Sequence, residues 1–339
     1  MAGKITSLEV AERAGVSRSA VSRVFTPGAS VSAKTAEKVR AAASELGYRP
    51  NVLARSLMTG RSRIIGLVVA YLDNLFYPMV LEKLSNALQA EGYHVMVFMA
   101  AQTAGNIDDV LDEILDYQVD GLVMASVAMS SELTARCRAS GVPVVLFNRR
   151  QDDDLQSSVT TDNYAGGYAV AQHLLKGGHQ RIAHIAGWQG ASTARDREAG
   201  FVDGLKEAGR DLFARAEGDF HTDKSREVAR EMFGGVDRPD AVFVSNDHMA
   251  FLTMDVLRDE LGLRVPEDVA VVGFDDVPTA AWAAYDLTTV RQDVEAMVAE
   301  TVRTVLAAVS ETDAEPEQVL LPAQLVVRGS SRGGGVGST

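Results

Sequence analysis

Two kinds of hydrophobic pattern divide this sequence of 339 residues. Up to about residue 60, apolar residues recur three or four positions apart, which is typical of short amphipathic helices. From Ile64 onward, short runs rich in valine alternate with helical patterns. Such runs indicate strands that are buried on both faces of a parallel sheet. The pattern predicts a small all-α head followed by a large α/β body.

Capping signals predict where the helices of the head begin and end. Thr6 and Glu9 have the spacing of a capping box, in which each residue's side chain bonds the other's backbone amide. Ser17 and Ser32 are predicted to cap the second and third helices, and Pro50 opens a further short segment. The glycines predicted to end the first and third helices are Gly15 and Gly47.

The body shows a repeated strand–helix rhythm. About 270 residues exceed one open sheet, so the rhythm predicts two α/β lobes. Helical patterns cover residues 77–92, 107–117 and 130–141, and the glycine-rich end of the chain predicts a disordered tail. The runs predicted as strands are 64–70, 94–100, 120–125, 143–148, 181–187, 240–247 and 268–276.

Composition excludes several classes of protein. Apolar residues make up 46% and charged residues 23%, so the chain is neither intrinsically disordered, nor collagen-like, nor a coiled coil. No apolar run reaches the roughly 18 residues of a membrane span, and no apolar stretch behind Lys4 indicates a secretory signal. The single cysteine, Cys137, cannot form an internal disulfide. We expect a cytoplasmic protein.

The net charge of −13 conceals an asymmetry between head and body. Residues 1–63 contain 11 Lys and Arg against 4 Asp and Glu, whereas the remainder contains 22 against 42. A basic head on an acidic body is typical of a polyanion-binding module joined to a second function. A merely solvated basic surface explains the charge equally well.

The first two predicted helices have helix-turn-helix anatomy. Ala11 allows close crossing, Gly15 makes the turn and Val21 packs the second helix against the first. The second helix would enter the major groove by its N-terminal end, where Arg bonds guanine and Ser reaches bases or phosphates. A purely structural helical hairpin is the alternative. The candidate DNA contacts are the outward side chains Arg18, Ser19, Ser22 and Arg23 and the hydroxyls at helix starts, Thr6, Ser17, Ser32 and Thr35.

These motifs resemble those of the LacI/GalR family of transcriptional regulators. The family pattern V-A-x-x-A-G-V-S-x-x-x-V-S-R-V matches residues 10–24, and a second dense pattern matches residues 31–51. The resemblance implies a hinge helix that folds on DNA, with Leu57 wedged into the minor groove at the centre of a palindrome. Arg18 and Ser19 occupy the variable pair that reads the operator, so the target sequence does not carry over. The hinge residues implied to bind DNA are Asn51, Ala54, Arg55 and Leu57.

The same resemblance implies a body like that of periplasmic sugar-binding proteins, with two α/β lobes, three crossovers and a small ligand between the lobes. It implies a DNA-binding domain over 1–49, a hinge helix and linker over 50–62, and a ligand-binding and dimerisation body over 63–328. The remaining boundaries are a first lobe of about 63–162 plus 292–321, a second lobe of about 163–291 plus 322–328, and a disordered tail over 329–339.

Polar residues follow several predicted strands, where open α/β sheets bind ligands. Polar groups that fork onto neighbouring hydroxyls, together with an aromatic face, suit a sugar. Segment 193–201 is similar to the family pattern S-x-x-R-x-x-G-F, which implies Arg197 at the ligand, and Asn148 stands where many members have aspartate. Asn74, Tyr77, Arg149 and Asp247 lie in the same strand-end segments. The effector-binding residues predicted are Asp73, Phe76, Asn148, Asp162, Arg197, Phe220, Asn246, Asp275 and Gln292.

The sequence contains no motif typical of a metal site or of a catalytic site. His173, His179 and His184 lack zinc-ligand spacing and acidic or cysteine companions, so we expect scaffold roles and no metal or cofactor. Neither a G-x-S-x-G elbow nor a P-loop occurs, so we do not expect an enzyme.

The sequence therefore predicts a ligand-controlled repressor that binds a palindromic operator as a homodimer, because twofold DNA sites need twofold proteins. A small sugar or a related metabolite is the expected effector, acting as inducer or as co-repressor. The absence of a leucine heptad near the C-terminus predicts no tetramer. A solute-binding receptor for a transporter, which cell fractionation would reveal, and a sugar-processing enzyme, which turnover would reveal, are the alternatives.

Overall fold

The computed structural model describes residues 5–26, 29–49, 61–70, 72–100, 107–125, 131–152, 155–311 and 315–331. The chain divides into two compact units, residues 1–63 and 64–339. Within the described residues, no helix combines the length and the apolar character that crossing a lipid bilayer demands.

The head contains three helices, α1 (Ser7–Ala14), α2 (Arg18–Val24) and α3 (Ala33–Leu46). The predicted capping box is confirmed, because the Thr6 amide donates to the Glu9 carboxylate at 2.6 Å and the Glu9 amide donates to Thr6 Oγ1 at 3.4 Å. Gly15 ends α1 with φ 65° and Gly47 ends α3 with φ 66°, as left-handed caps require.

A small apolar cluster holds the three helices together. Val10 and Ala11 of α1 pack with Val21 of α2 and with Val39 and Ala43 of α3. These positions confirm the helical spacing that predicted the head. Of the predicted hinge and linker, residues 50–60 lie outside the described residues.

The body alternates strands with helices. Its described helices are α4 (Phe76–Ala90), α5 (Ile107–Asp116), α6 (Ser131–Ala139), α7 (Asn163–Lys176), α8 (Ser192–Glu207), α9 (Thr222–Phe233), α10 (Asp247–Asp255) and α11 (Val294–Ser310). A π-helical turn over Val256–Glu260 continues α10, and short 3₁₀ turns cover Pro278–Ala281 and Gly329–Ser331. Its described strands are β1 (Ile64–Val69), β2 (His94–Met99), β3 (Gly121–Ala125), β4 (Val144–Phe147), β5 (Ser157–Thr161), β6 (Ile182–Ala186), β7 (Ala214–Glu217), β8 (Ala241–Val244), β9 (Ala270–Asp275), β10 (Thr288–Arg291), β11 (Gln318–Leu321) and β12 (Gln324–Val326).

Two six-stranded sheets define two lobes. The first lobe is built on the sheet β11-β5-β4-β3-β1-β2, in which every pair is parallel. The second lobe is built on the sheet β12-β10-β9-β8-β6-β7, in which only β12 runs antiparallel. The chain passes from one sheet to the other after β5, after β10 and after β11. The two-lobed α/β body with three crossovers is therefore confirmed.

All seven apolar runs predicted as strands form strands, but five further strands escaped prediction. β5 has the sequence SSVTT and β7 the sequence ARAE, so hydroxyl and charged side chains replace the apolar signal. The others are β10, β11 and β12, which have four residues or fewer. Short strands of this kind form because they pair with neighbouring strands, and their own residues are not apolar enough to predict them.

The predicted disordered tail over 329–339 needs correction at its beginning. Gly329–Ser331 forms an ordered 3₁₀ turn, and Ser330 and Ser331 are buried. The turn is ordered because Ser330 Oγ donates to the Val271 carbonyl at 2.6 Å and accepts from the Thr288 amide at 2.8 Å. Residues 332–339 of the predicted tail lie outside the described residues.

Candidate functional site: the cleft of the body and the surface of the head

A narrow cleft lies where the strand ends of the two lobes face each other. The enclosed space is about 10 Å³, which holds about one water molecule. A ligand the size of a sugar therefore enters only when the lobes separate or the side chains move. The residues that line this cleft are Asn74, Tyr77, Asn148, Arg149, Thr193, Arg197, Phe220, Asn246 and Asp275.

Arg197 is the most constrained cation of the cleft. It lies on α8, only 2% of its surface is exposed, and its Cζ lies 3.7 Å from the centre of the Phe274 ring. Its Nε donates to Asn163 Oδ1 at 2.8 Å and its Nη1 donates to the Ser245 carbonyl at 2.6 Å. Its Nη2 faces Asp275 Oδ1 at 3.5 Å. Bonds from three elements hold the guanidinium in one orientation.

Asp275 ends β9 in a strained backbone conformation with φ 125°. Its Oδ1 accepts from Gln292 Nε2 at 2.8 Å, and the Asn74 side chain of the first lobe lies near enough to stabilise its charge. Burial raises the pKa of Asp275 to about 6, although Arg197 and the two amide side chains lower it in part. The carboxyl group thus lies in the cleft beside side chains of both lobes and can change its charge near pH 6.

A second buried carboxyl group, Asp247, lies behind the cleft. Its Oδ2 accepts from the Val277 amide at 3.0 Å and its Oδ1 accepts from Thr289 Oγ1 at 2.5 Å. Burial, and then the charge of Asp275, raise the pKa of Asp247 well above its ordinary value. Asp247 therefore holds the turn after β9 rather than contacting a ligand.

Phe220 supplies an aromatic surface in the cleft. Its backbone has φ 59°, and its ring packs so closely on Gly187 that a Cβ there would lie 2.1 Å from Phe220 Cζ. On the opposite wall, Asn148 Nδ2 reaches the Tyr77 hydroxyl at 3.5 Å. An aromatic face beside amide and hydroxyl groups is the combination that binds hydroxylated rings.

Three buried polar atoms at or beside the cleft have no hydrogen-bond partner among the described residues. They are Asn148 Oδ1, Arg149 Nη1 and Gln292 Oε1. Asn148 is 4% exposed, Arg149 is 6% exposed and Gln292 is 2% exposed. The Arg149 guanidinium lies over the Trp188 ring, 5.6 Å from its centre. Buried polar atoms ordinarily find partners, so these three are candidate contacts for a ligand.

Ion pairs of opposite polarity connect the lobes beside the cleft. Arg150 of the first lobe donates to both carboxylate oxygens of Asp196 on α8, at 3.1 and 3.2 Å. Arg195 of the second lobe donates to both oxygens of Asp152, at 2.9 and 3.2 Å. The Arg150 amide also donates to Ser192 Oγ at 3.1 Å. These contacts stabilise the closed arrangement of the lobes.

The structure brings together most of the predicted effector residues, but not all. Gln292 does not line the cleft but donates to Asp275, which does. Three other predicted residues also lie outside the lining. Asp73 is exposed, Phe76 packs in the core against Phe147, and Asp162 caps α7. Thr193 was missed, although it precedes Arg197 by four residues and so shares its helix face. The predicted residues that line the cleft are Asn148, Arg197, Phe220, Asn246 and Asp275.

The three histidines that could be mistaken for a metal site have separate partners. His173 Nε2 lies 2.8 Å from Ser331 Oγ, His179 Nδ1 lies 3.6 Å from Asp240 Oδ1, and His184 bonds the Phe243 carbonyl at 2.9 Å. Burial lowers the pKa of His184 to about 4, so it is a neutral core side chain. Across the parts of the chain with a described structure, no three His, Cys, Asp or Glu side chains are grouped to hold a metal ion.

The head presents its predicted DNA contacts on its surface. Arg18, Ser19 and Arg23 of α2 are exposed, and Ser22 is half-buried. Arg18 Nε donates to Ser7 Oγ at 3.0 Å. Thr6, Ser17 and Ser32 cap the three helices, with Thr35 bonded to Ser32. The predicted hinge contacts Asn51, Ala54, Arg55 and Leu57 lie outside the described residues.

Comparison with known proteins assigns both units of the chain. Residues 6–51 match the model of bacterial regulatory proteins of the lacI family, and residues 171–331 match the periplasmic binding protein-like domain. The chain is 33% identical over 296 residues to the HTH-type transcriptional repressor PurR of Pectobacterium carotovorum subsp. carotovorum strain PC1, covering 86% of each chain.

Solved structures agree with this assignment. A lac repressor dimer bound to operator and the anti-inducer ONPF superposes with a TM-score of 0.87 at 30% identity, covering 97% of this chain and 99% of that one. A complex of the transcriptional regulator CelR with cellobiose gives a TM-score of 0.73 at 32% identity, covering 96% of this chain and 100% of that one. This chain belongs to the lacI family of bacterial regulatory proteins.

Proposed function

We propose that this protein is a transcriptional repressor that binds a palindromic operator as a homodimer and responds to a small sugar or a related metabolite. One observation carries the proposal: a basic three-helix head and a two-lobed body with a polar, buried cleft occur in one chain. The lac repressor dimer on operator and the CelR–cellobiose complex support the two halves of the proposal. The proposed repressor acts in the cytoplasm, where its DNA target is located. Its cleft binds an effector and catalyses no reaction.

In the head, α2 is the element that reads DNA. Its N-terminal residues Arg18 and Ser19 are exposed, and an Arg side chain forms paired hydrogen bonds with guanine in the major groove. The capping hydroxyls at Thr6, Ser17 and Ser32 lie at helix N-termini, where backbone amides favour phosphate oxygens. Leu57 of the hinge opens a base step in the minor groove and so permits the bend.

In the body, the effector acts through the arrangement of the lobes. The closed cleft has room for about one water molecule, so an effector must change either the lobe separation or the side chains that fill the cleft. A ligand shifts such an equilibrium only by the difference between its affinities for the two states. The effector therefore controls DNA binding by favouring one lobe arrangement.

The first test measures binding of the full chain to duplexes that tile the region upstream of its own reading frame. We expect salt-sensitive binding to one palindromic site. Arg18→Gln should weaken binding to that site about tenfold or more, the equivalent of about 1–3 kcal/mol for one base contact. Arg13→Gln is the matched control, because it removes the same charge from a side chain that donates to Glu45 at 2.5 Å within the head.

Leu57→Ala is the companion variant in the same assay. It should weaken binding to the palindrome while leaving most binding to unrelated duplex intact, because the wedge contributes only where the DNA bends. Equal losses on both duplexes would remove the wedge from the mechanism. Failure of every upstream duplex to bind would refute the repressor proposal, and a periplasmic location in cell fractions would favour a solute receptor.

A further inference from the structure

The cleft contains a cation, Arg149, that no described residue neutralises. Arg149 directly follows Asn148 at the end of β4, and it is 6% exposed. Its Nη1 is buried without a hydrogen-bond partner among the described residues, and no carboxylate within 4.0 Å pairs with its guanidinium in that part of the chain. Burial without a partner is costly for a guanidinium, so a missing partner is indicated.

Three described acidic residues at or beside the cleft are already engaged. Asp152, three positions further along the chain, pairs with Arg195, and Asp196 pairs with Arg150. Asp275 is the one carboxyl group in the lining of the described cleft, and it faces Arg197 at 3.5 Å. Two guanidinium groups thus share the cleft with one carboxyl group, and the excess charge is positive.

The groups around Arg149 are those of a binding site: an aromatic ring in contact with the guanidinium and a buried amide oxygen next to it. The Arg149 guanidinium lies over the ring of Trp188 of the second lobe, with 5.6 Å between its Cζ and the ring centre, and this cation–π contact favours its position. Next to it, Asn148 has a left-handed backbone with φ 57° and a buried Oδ1 that lacks a partner in the described structure. A buried guanidinium therefore stands next to an amide oxygen that can accept from a hydroxyl group.

We propose that the effector carries an anionic group, a carboxylate or a phosphate ester, on a hydroxyl-bearing skeleton, and that Arg149 binds this anionic group. The planar fork of Arg149 matches two oxygens of either group. Asn148 Oδ1 accepts from a ligand hydroxyl, and Phe220 packs against the carbon skeleton. The inference rests on the proposed function, because it takes this cleft as the effector site.

A neutral sugar fits these groups less well. Its hydroxyl oxygen can accept one hydrogen bond from Arg149, but the positive charge stays uncompensated in a water-poor cleft. Arg149 of the first lobe lies over Trp188 of the second, so an anionic group bound to Arg149 sits where the two lobes meet. Binding and lobe arrangement are coupled through this charge.

The test measures the melting temperature of the full chain with matched sets of ligands at constant ionic strength. The sets are glucose, glucuronate and glucose 6-phosphate; galactose, galacturonate and galactose 6-phosphate; and ribose with ribose 5-phosphate. Acetate and inorganic phosphate serve as bare ions. At least one anionic member should raise the melting temperature more than the neutral member of its set, because a bound ligand stabilises the folded state. Whether the carboxylate or the phosphate member does so distinguishes the two anionic groups.

Variants assign the effect to Arg149. Arg149→Gln should weaken the anionic ligand about 10- to 100-fold and erase its advantage over the neutral sugar, since a charged hydrogen bond is lost. Arg149→Lys should retain part of the preference. Arg303→Gln is the matched control, because it removes the same charge from a first-lobe side chain that pairs with Glu300 and Glu317, and it should retain all of the preference. The melting temperature of each variant without ligand shows that it folds.

Three results would overturn the inference: no anionic member exceeding its neutral partner, anionic binding that survives Arg149→Gln, or bare phosphate or acetate acting as strongly as the sugar anions. DNA binding by the same preparation separates this failure from failure of the proposed function. A protein that binds its palindrome and is released by a neutral sugar would retain the proposed function and lose the anionic effector.

Discussion

At the scale of single residues, burial decides which charges the body can use. Arg197, Asp275 and Asp247 are each at most 3% exposed, yet they have different partners. Arg197 has hydrogen bonds from its three nitrogens, so its charge is compensated. Asp275 and Asp247 lie close enough for each charge to disfavour the other. Asp275 is therefore the titratable group of the described cleft lining, and Asp247 lies behind it.

Asp275 gives a pH dependence with a definite sign. Its pKa is about 6 in the folded protein, against about 4 for an aspartate in an unfolded chain. Between these values the folded state binds more protons than the unfolded state, so the free energy of unfolding falls as pH rises from about 4 to about 6. We expect Asp275→Asn to gain thermal stability relative to the parent protein as pH rises through this window.

The measurement is the melting temperature of both proteins between pH 4 and 7. His184, whose pKa burial lowers to about 4, has the opposite effect because stability is lost as pH falls from about 6.5 to about 4. That contribution is common to both proteins and cancels in their difference. A difference in melting temperature that does not change with pH would show that Asp275 is already ionised at pH 4.

At the scale of elements, glycines allow α7 and α8 to touch backbone to backbone. A Cβ at Gly167 would lie 2.0 Å from the Arg197 carbonyl oxygen, and a Cβ at Gly200 would lie 2.0 Å from the Tyr164 carbonyl oxygen. The close crossing brings Asn163 of α7 within reach of Arg197 on α8. Helix packing thus determines the orientation of the cleft's central cation.

Gly167→Ala should consequently destabilise the body. The added methyl meets backbone that cannot rotate away, so the helices must separate, at a cost of about 1–3 kcal/mol or more. Gly235→Ala is the control, because a Cβ there has only the Asp237 amide at 4.0 Å. Urea unfolding midpoints compare the two. Equal midpoints would mean that α7 and α8 adjust without cost.

At the scale of the whole body, two ion pairs help to set the lobe arrangement. Arg150–Asp196 and Asp152–Arg195 connect the lobes, with side chains from 28% to 77% exposed. Exposed pairs contribute at most about 1 kcal/mol each. That is a small part of the stability of the chain, but it is enough to change the populations of open and closed lobes severalfold.

Asp196→Asn should favour lobe opening with little loss of global stability. We expect amide hydrogen exchange of the segment 148–150 to accelerate about two- to fivefold, the ratio expected from loss of an exposed pair. Glu317→Gln, which breaks an exposed pair with Arg303 inside the first lobe, is the control. The exchanged pair Arg150→Asp with Asp196→Arg should restore protection. Unchanged exchange in Asp196→Asn would show that other contacts hold the lobes together.

The sequence alone determined the head and the architecture of the body. A capping box, serine caps, glycine stops and helical spacing are local signals, and they suffice to locate α1, α2 and α3 along the chain. The valine-rich runs likewise predicted seven strands, because a strand buried on both faces must be apolar along its length. The five short strands carry no such signal, since their neighbours supply the pairing that makes them strands.

Only the tertiary structure decided which polar residues at strand ends work together. Sequence position could not tell that Phe76 belongs to the core while Thr193 lines the cleft, because both follow from how helices pack on the sheets. It could not tell that Arg149 lacks a charge partner within the described residues while Arg150 has one. Charge compensation depends on groups distant in the chain, and folding alone brings those groups within hydrogen-bonding distance.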